Sequence, residues 1–291
     1  MSLLRTVVAL VLLLAALATP AQAERLTVSI EGESGTDIIL IPGLASSPAV
    51  WDGLAAQLRG RHRVHRLQVA GFAGSPAAAE AHEPVVAGLA EAIAVYIRDR
   101  GLRAPAIVGH SLGGEAALMV AARHPGLVGK VMTVDALPFY SLLLNPAATP
   151  ETVRPQAEAM RAMLATQSPD QARAGAAATM TRMIRTEAAR PAAVEWAAAS
   201  DPATVASAVH ELMTTDLRPE LGRIAAPLTV VYAYDPAYGI PAERIDALFR
   251  TAYAEAPAAR FERIDDSFHF VMLDQPEAFA AAVARFLAEP Q

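Results

Sequence analysis

The segment Ile107-Val108-Gly109-His110-Ser111-Leu112-Gly113-Gly114 constrains the fold more than any other stretch of this chain. β-Branched residues lead into it, and Glu115-Ala116-Ala117-Leu118-Met119-Val120-Ala121-Ala122, a strong helix former, leads out. Between them stands the pattern G-x-S-x-G. A strand that becomes a helix within a few residues needs a sharp turn, and the residue at its apex takes a strained backbone. Gly109 and Gly113 fit there because a Cβ would collide with the closely approaching strand and helix. This geometry lifts the Ser111 hydroxyl clear of the sheet, at the positive N-terminal end of the helix. It is a mounting for a nucleophile.

The flanking chain supplies strands and helices in alternation. Leu26–Ile30 alternates and reads as an edge strand; Asp37–Ile41 is an apolar run of the kind found in buried parallel strands. A helix is expected over Ala49–Leu58, with Ser46 or Ser47 able to cap it. A strand follows at Val64–Val69, then a helix from Pro84 to Arg100 that ends at Gly101. Ala106–Val108 feeds the Ser111 turn, and Val131–Val134 is the next strand, closed by Asp135. From Pro138 to Gly222 the pattern changes: no convincing strand, and about four short helices punctuated by prolines. The alternation resumes with a strand at Leu228–Tyr232, a helix from Pro241, a strand at Arg260–Ile264 and a helix over Pro276–Leu287. Such alternation implies an α/β fold with a mostly parallel sheet and right-handed crossovers, whose ligands bind at the carboxyl ends of the strands.

Residues 1–23 read as a secretory signal peptide. Arg5 is their lone charge, Val7–Ala18 is apolar, and Ala21-Gln22-Ala23 is a small-x-small cleavage site. The apolar run falls short of the ~20 residues a membrane-spanning helix needs, so no stable span is expected in a mature chain that begins at Glu24. Export to the periplasm or the medium follows. The expected organisation is one α/β core over 24–137 and 223–291, interrupted by a helical insertion over 138–222. A net charge of −6 offers no basic patch for nucleic acid. With no Cys, disulfides and thiolate chemistry are excluded, and no metal or other cofactor is expected.

A serine hydroxyl needs a base to take its proton. Of the seven histidines, His110 neighbours Ser111, but the turn sends adjacent side chains in different directions, so it reads as structural. His124 ends the following helix, His62 and His65 lie at an Arg-rich strand entrance, His82 in a polar loop, and His210 inside an insertion helix. His269 follows the last strand directly, where it reaches over the sheet edge toward Ser111. The base in turn needs an orienting carboxylate. Asp235, after Leu228–Tyr234, is the preferred choice, and Asp135 is the alternative; both stand at strand carboxyl ends between Ser111 and His269 in sequence. Backbone N–H groups of Leu112 and of Leu44, in the loop after Asp37–Ile41, are the expected donors to an oxyanion.

These features together resemble the α/β-hydrolase superfamily, in its capped esterase, peptidase and epoxide-hydrolase-like branch, from about Asp37 to Leu287. The resemblance rests on Gly109–Gly114, Pro42–Trp51, Gly71–Ser75, Tyr234-Asp235-Pro236 and His269–Pro276. It implies the acid at Asp235, the base at His269 and a helical cap in the insertion. Two positions depart from it: Pro42 stands where the family often has His, and Gln68 where an Asp is common. The resemblance implies a serine hydrolase for a small-molecule ester, lactone or related acyl substrate. Carbon–carbon, amide or aminopeptide hydrolysis and peracid formation use the same triad. Haloalkane or epoxide chemistry would need Asp in place of Ser111. The rival from another class is a non-catalytic envelope binding protein on the same scaffold, against which a complete triad argues. Met160, Met163, Met180 and Met183 serve either packing or pocket lining.

Overall fold

The computed structural model describes residues 25–79 and 84–289; the signal peptide and His82 lie outside them. The chain runs β1 (Leu26–Glu31), β2 (Asp37–Ile41), α1 (Asp52–Leu58), β3 (Arg63–Val69), α2 (Val85–Asp99), β4 (Ala106–His110), α3 (Leu112–Arg123) and β5 (Lys130–Val134). Helices α4 (Pro150–Ala165), α5 (Pro169–Met183), α6 (Arg190–Ala198) and α7 (Pro202–Thr214) follow. Then come β6 (Leu228–Tyr234), α8 (Ala242–Ala252), β7 (Arg260–Asp265), the one-turn α9 (Val271–Asp274) and α10 (Pro276–Ala288). The seven strands form one sheet in the order β1-β3-β2-β4-β5-β6-β7. Only the edge strand β1 runs antiparallel to its neighbour; the other pairs are parallel.

Alternate residues of the strands feed two apolar layers, as a period of two requires. Ile39, Ile41, Leu67 and Ile107 pack with α2, α3 and α8. Ile38, Leu40, Val64 and Val108 pack with α1 and α10 on the other face, where buried Trp51 stacks on Phe279. The central strands β2, β4, β5 and β6 are buried, mostly apolar runs rich in Val and Ile because both of their faces are covered. The helix expected over Ala49–Leu58 divides: Ser47 caps a 3-10 turn at Pro48–Trp51, and the α-helix begins at Asp52. Gln68, where the family often has Asp, donates to the carbonyls of Val69 and Phe72 and supports the following turn.

Between β5 and β6 the chain forms helices only. Prolines stand in the first turns of α4, α5, α6 and α7, where a missing N–H costs nothing. Thr149 and Ser168 form capping boxes at α4 and α5, and Asp201 caps α7. The insertion is fastened to loops at the carboxyl ends of the strands. Asp201 N–H donates to the Gly71 carbonyl, and Ala73 N–H donates to Ser200 Oγ. Glu211 of α7 accepts from Val86 and Ala87 N–H at 2.7 and 2.8 Å, so it places a carboxylate at the positive end of α2.

Candidate active site

Ser111 occupies the turn between β4 and α3 with φ 54° and ψ −122°, a region an L-residue enters only under constraint, at about 1–3 kcal/mol. The constraint is visible in the glycines beside it. A Cβ on Gly109 would lie 2.1 Å from the Gly113 carbonyl oxygen, and one on Gly113 would lie 2.4 Å from that of Ile41. Ser111 is partly exposed while every residue of α3 through Ala122 is buried.

Strand register fixes the neighbours of Ser111. His110 pairs with Val134, and Val134 pairs with Val231. Ser111 and Asp135 are therefore the first residues past two level strand ends. Asp135, with φ 46°, holds its carboxylate between two donors: Ala233 N–H to Oδ1 at 3.0 Å, and the His269 imidazole Nδ1–H to Oδ2 at 2.6 Å. A carboxylate only accepts, so His269 carries its proton on Nδ1 and leaves the Nε2 lone pair free.

Asp235, the acid preferred from sequence, does not meet His269. β6 continues past β5 because β7 pairs with it through Tyr234 and Asp265. Asp235 stands three residues beyond the level of Asp135, about 10 Å at 3.3 Å per residue. There it starts an Asp-Pro turn, accepting from Ala237 N–H at 2.8 Å, and its other oxygen pairs with the Arg185 guanidinium at 2.9 Å. The carboxylate that reaches the imidazole is the alternative, Asp135.

Several hydrogen bonds hold the loop that carries His269, among them Ser267 N–H to the Tyr234 carbonyl. His110 Nε2–H donates to the His269 carbonyl at 3.0 Å. Phe270 N–H donates to the Met183 carbonyl. Asp274 accepts three backbone amides, from Phe268 at 2.9 Å, Arg185 at 3.0 Å and Thr186 at 2.8 Å. The α5–α6 connection and the histidine loop thus share one carboxylate. The sequence assigned no role to Asp274 or Arg185: Asp274 lies within the His269–Pro276 segment without a signal that distinguishes it. Tyr238 stacks on Phe268 beside this loop. Burial, with the charges of Asp135, Asp235 and Asp274, pushes its phenol well above the ordinary range.

Gly43 approaches Ser111 so closely that a Cβ there would lie 3.2 Å from Ser111 Cβ. Leu44 follows it, half-buried, and Leu112 is the first residue of α3, whose N–H has no partner within the helix. The other described histidines have different work. His65 is buried between Asp37 and Tyr96, and His124 meets Glu91 at the end of α3. Among the described residues no cluster of three or more His, Asp or Glu suits a metal ion, and no helix is long and apolar enough to cross a membrane.

Residues 38–282 match a family model described as "Alpha/beta hydrolase family". Among solved structures, the chain is similar to an enol-lactonase from Burkholderia xenovorans, with 23% identity, TM-score 0.74, and 91% of this chain and 96% of that one covered. It is similar to a thermophilic esterase from Thermogutta terrifontis at 19% identity and TM-score 0.73, covering 90% and 92%. A bromoperoxidase from Bacillus anthracis gives 18% identity and TM-score 0.74, covering 91% and 95%. At these identities the likeness is one of fold.

Proposed function

The chain belongs to the alpha/beta hydrolase family, and on that premise we propose that it is a serine hydrolase cleaving an ester, lactone or related acyl substrate through an acyl-enzyme on Ser111. The observation that carries this reading is the 2.6 Å contact between His269 Nδ1 and Asp135 at the level of the strained Ser111. Ser111 attacks the acyl carbon while His269 Nε2 takes its proton. His269 then returns that proton to the leaving group, and water repeats the sequence to release the acid. Asp135 holds the imidazole in the Nδ1–H tautomer and stabilises the imidazolium. The N–H groups of Leu44 and Leu112 receive the oxyanion; donors fixed before reaction are worth about 3–4 kcal/mol each in related chemistry.

The helical insertion serves as a cap over this site. Met180 and half-buried Met183 pack in the same apolar cluster as Phe270 and Val271, which favours packing over pocket lining for that pair. Met163 is half exposed. Similar structures include both an esterase and an enol-lactonase, so both bond types belong in the assay. A panel of p-nitrophenyl esters of increasing chain length, with lactone and aminoacyl-anilide controls, tests the reading. Turnover that Ser111→Ala abolishes, with far-UV circular dichroism unchanged, is expected. Esterase activity retained in a folded Ser111→Ala variant would overturn it. From the signal-like residues 1–23 we also propose that the chain is exported and cleaved after Ala23: mass spectrometry of envelope protein should find Glu24 as the first residue, and an intact Met1 would refute cleavage.

A further inference from the structure

The residue before the nucleophile touches more of the site than its sequence position suggests. His110 is fully buried, and its Nε2–H donates to the His269 backbone carbonyl at 3.0 Å. A carbonyl only accepts, so the proton stands on Nε2 and the lone pair on Nδ1. Nδ1 is buried without a hydrogen-bond partner. A second proton would bury a charge and an unpaired N–H together. Burial, and then the nearby His269 imidazole, hold His110 well below the ordinary histidine range, so the ring is neutral at working pH.

The ring also sits at a junction. Its centroid lies 4.5 Å from that of His269 and 4.8 Å from that of Phe270, and Trp51 meets it edge-on at 6.5 Å. On another side the loop leading to Leu44 comes so near that a Cβ on Gly43 would lie 2.8 Å from His110 Nδ1. One neutral imidazole therefore contacts the nucleophile turn, the loop of the proposed oxyanion donor and the loop of the base.

We propose that His110 is a positioning residue: its Nε2–H fixes the His269 backbone, and so sets the reach of the catalytic imidazole toward Ser111. The proposal rests on the reading of Ser111, His269 and Asp135 given above. His269 stands four residues past the end of β7, on a loop whose carbonyl has this side-chain donor. A misplacement of about 1 Å in a catalytic group costs on the order of 10²-fold, so an unpinned loop lowers turnover without touching substrate binding.

The test separates a donor from a filler. His110→Leu fills much of the space without a donor, whereas His110→Gln places an amide N–H near the Nε2 position. Two readouts are taken: steady-state kinetics on p-nitrophenyl acetate, and the downfield proton resonance of His269 Nδ1–H. In His110→Leu, kcat should fall about 10- to 100-fold with KM nearly unchanged, and the resonance should broaden. His110→Gln should recover most of the rate and keep the resonance sharp. Should His110→Leu fail to fold, His110→Asn, whose amide falls short of the carbonyl, takes its place. Equal activity and equally sharp resonances in the donor and donorless variants would overturn the positioning role and leave the hydrolase reading intact. A resonance that follows the donor, in a protein that turns over no ester or lactone, would overturn the hydrolase reading and leave the positioning role standing.

Discussion

Asp135 and Asp235 carry the same side chain at the ends of adjacent parallel strands, and only height along the sheet separates them. Asp135 is level with Ser111 and bonds His269, whereas Asp235 stands higher and pairs with half-exposed Arg185. Asp135→Asn should therefore disturb the imidazole tautomer and leave the imidazolium unsupported. The equivalent change in a serine protease costs ~10⁴ in kcat, about 5.5 kcal/mol. Asp235→Asn should cost about 10-fold or less, through a loosened contact with Arg185. Steady-state kinetics on both variants, with thermal melts, decide between them. A large loss in Asp235→Asn beside a near-normal Asp135→Asn would return the acid role to Asp235. The glycine pattern and the place after the last strand mark Ser111 and His269 as candidates in the sequence. Which carboxylate meets His269 was not legible there, because that depends on which strand end is level with which.

Strand β6 shows where that information resides. Its sequence suggests an end at Tyr232, but pairing with β7 extends it to Tyr234 and carries Asp235 upward. β7 decides this from outside the segment, so no periodicity within Leu228–Tyr234 reveals it. The central strands were readable from apolar runs and edge strand β1 from its alternation, and the insertion helices from prolines in their first turns. The one-turn α9 was not, since four residues show no period. Its last residue, Asp274, joins the histidine loop to the α5–α6 connection through three amides. Asp274→Ala leaves those amides without their acceptor and should destabilise the fold by about 1–2 kcal/mol. Amide hydrogen exchange should then accelerate at Arg185 and Thr186, along with Phe268. Exchange unchanged at Arg185 and Thr186 would show that the connection is held by other contacts.

At the scale of the whole molecule, the insertion and the core meet over two buried carboxylates. Glu115 of α3 is fully buried with Oε2 unpartnered, and burial together with the nearby Glu211 pushes its carboxyl well above the ordinary range. Burial also raises Glu211, though amides at the start of α2 and Arg123 act the other way. Burial also raises the Tyr140 and Tyr253 phenols in the same interior. The native state thus keeps the Glu115 proton above about pH 4.3, where an unfolded chain releases it. Its contribution to stability is full below that pH and is lost as pH rises toward the raised native value. Glu115→Gln removes this dependence, so the melting temperature of the variant relative to wild type should rise between pH 5 and pH 8. A constant difference across that range would contradict the burial argument. All of these features serve one claim, that Ser111 is a nucleophile activated by His269 and Asp135. Labelling the folded protein with a fluorophosphonate at neutral pH, followed by intact mass and peptide mapping, tests it most directly. The account predicts a single adduct on the peptide holding Ser111, absent from Ser111→Ala and slowed in His269→Ala and Asp135→Asn; no adduct on the folded wild type, or one undiminished in Ser111→Ala, would contradict it.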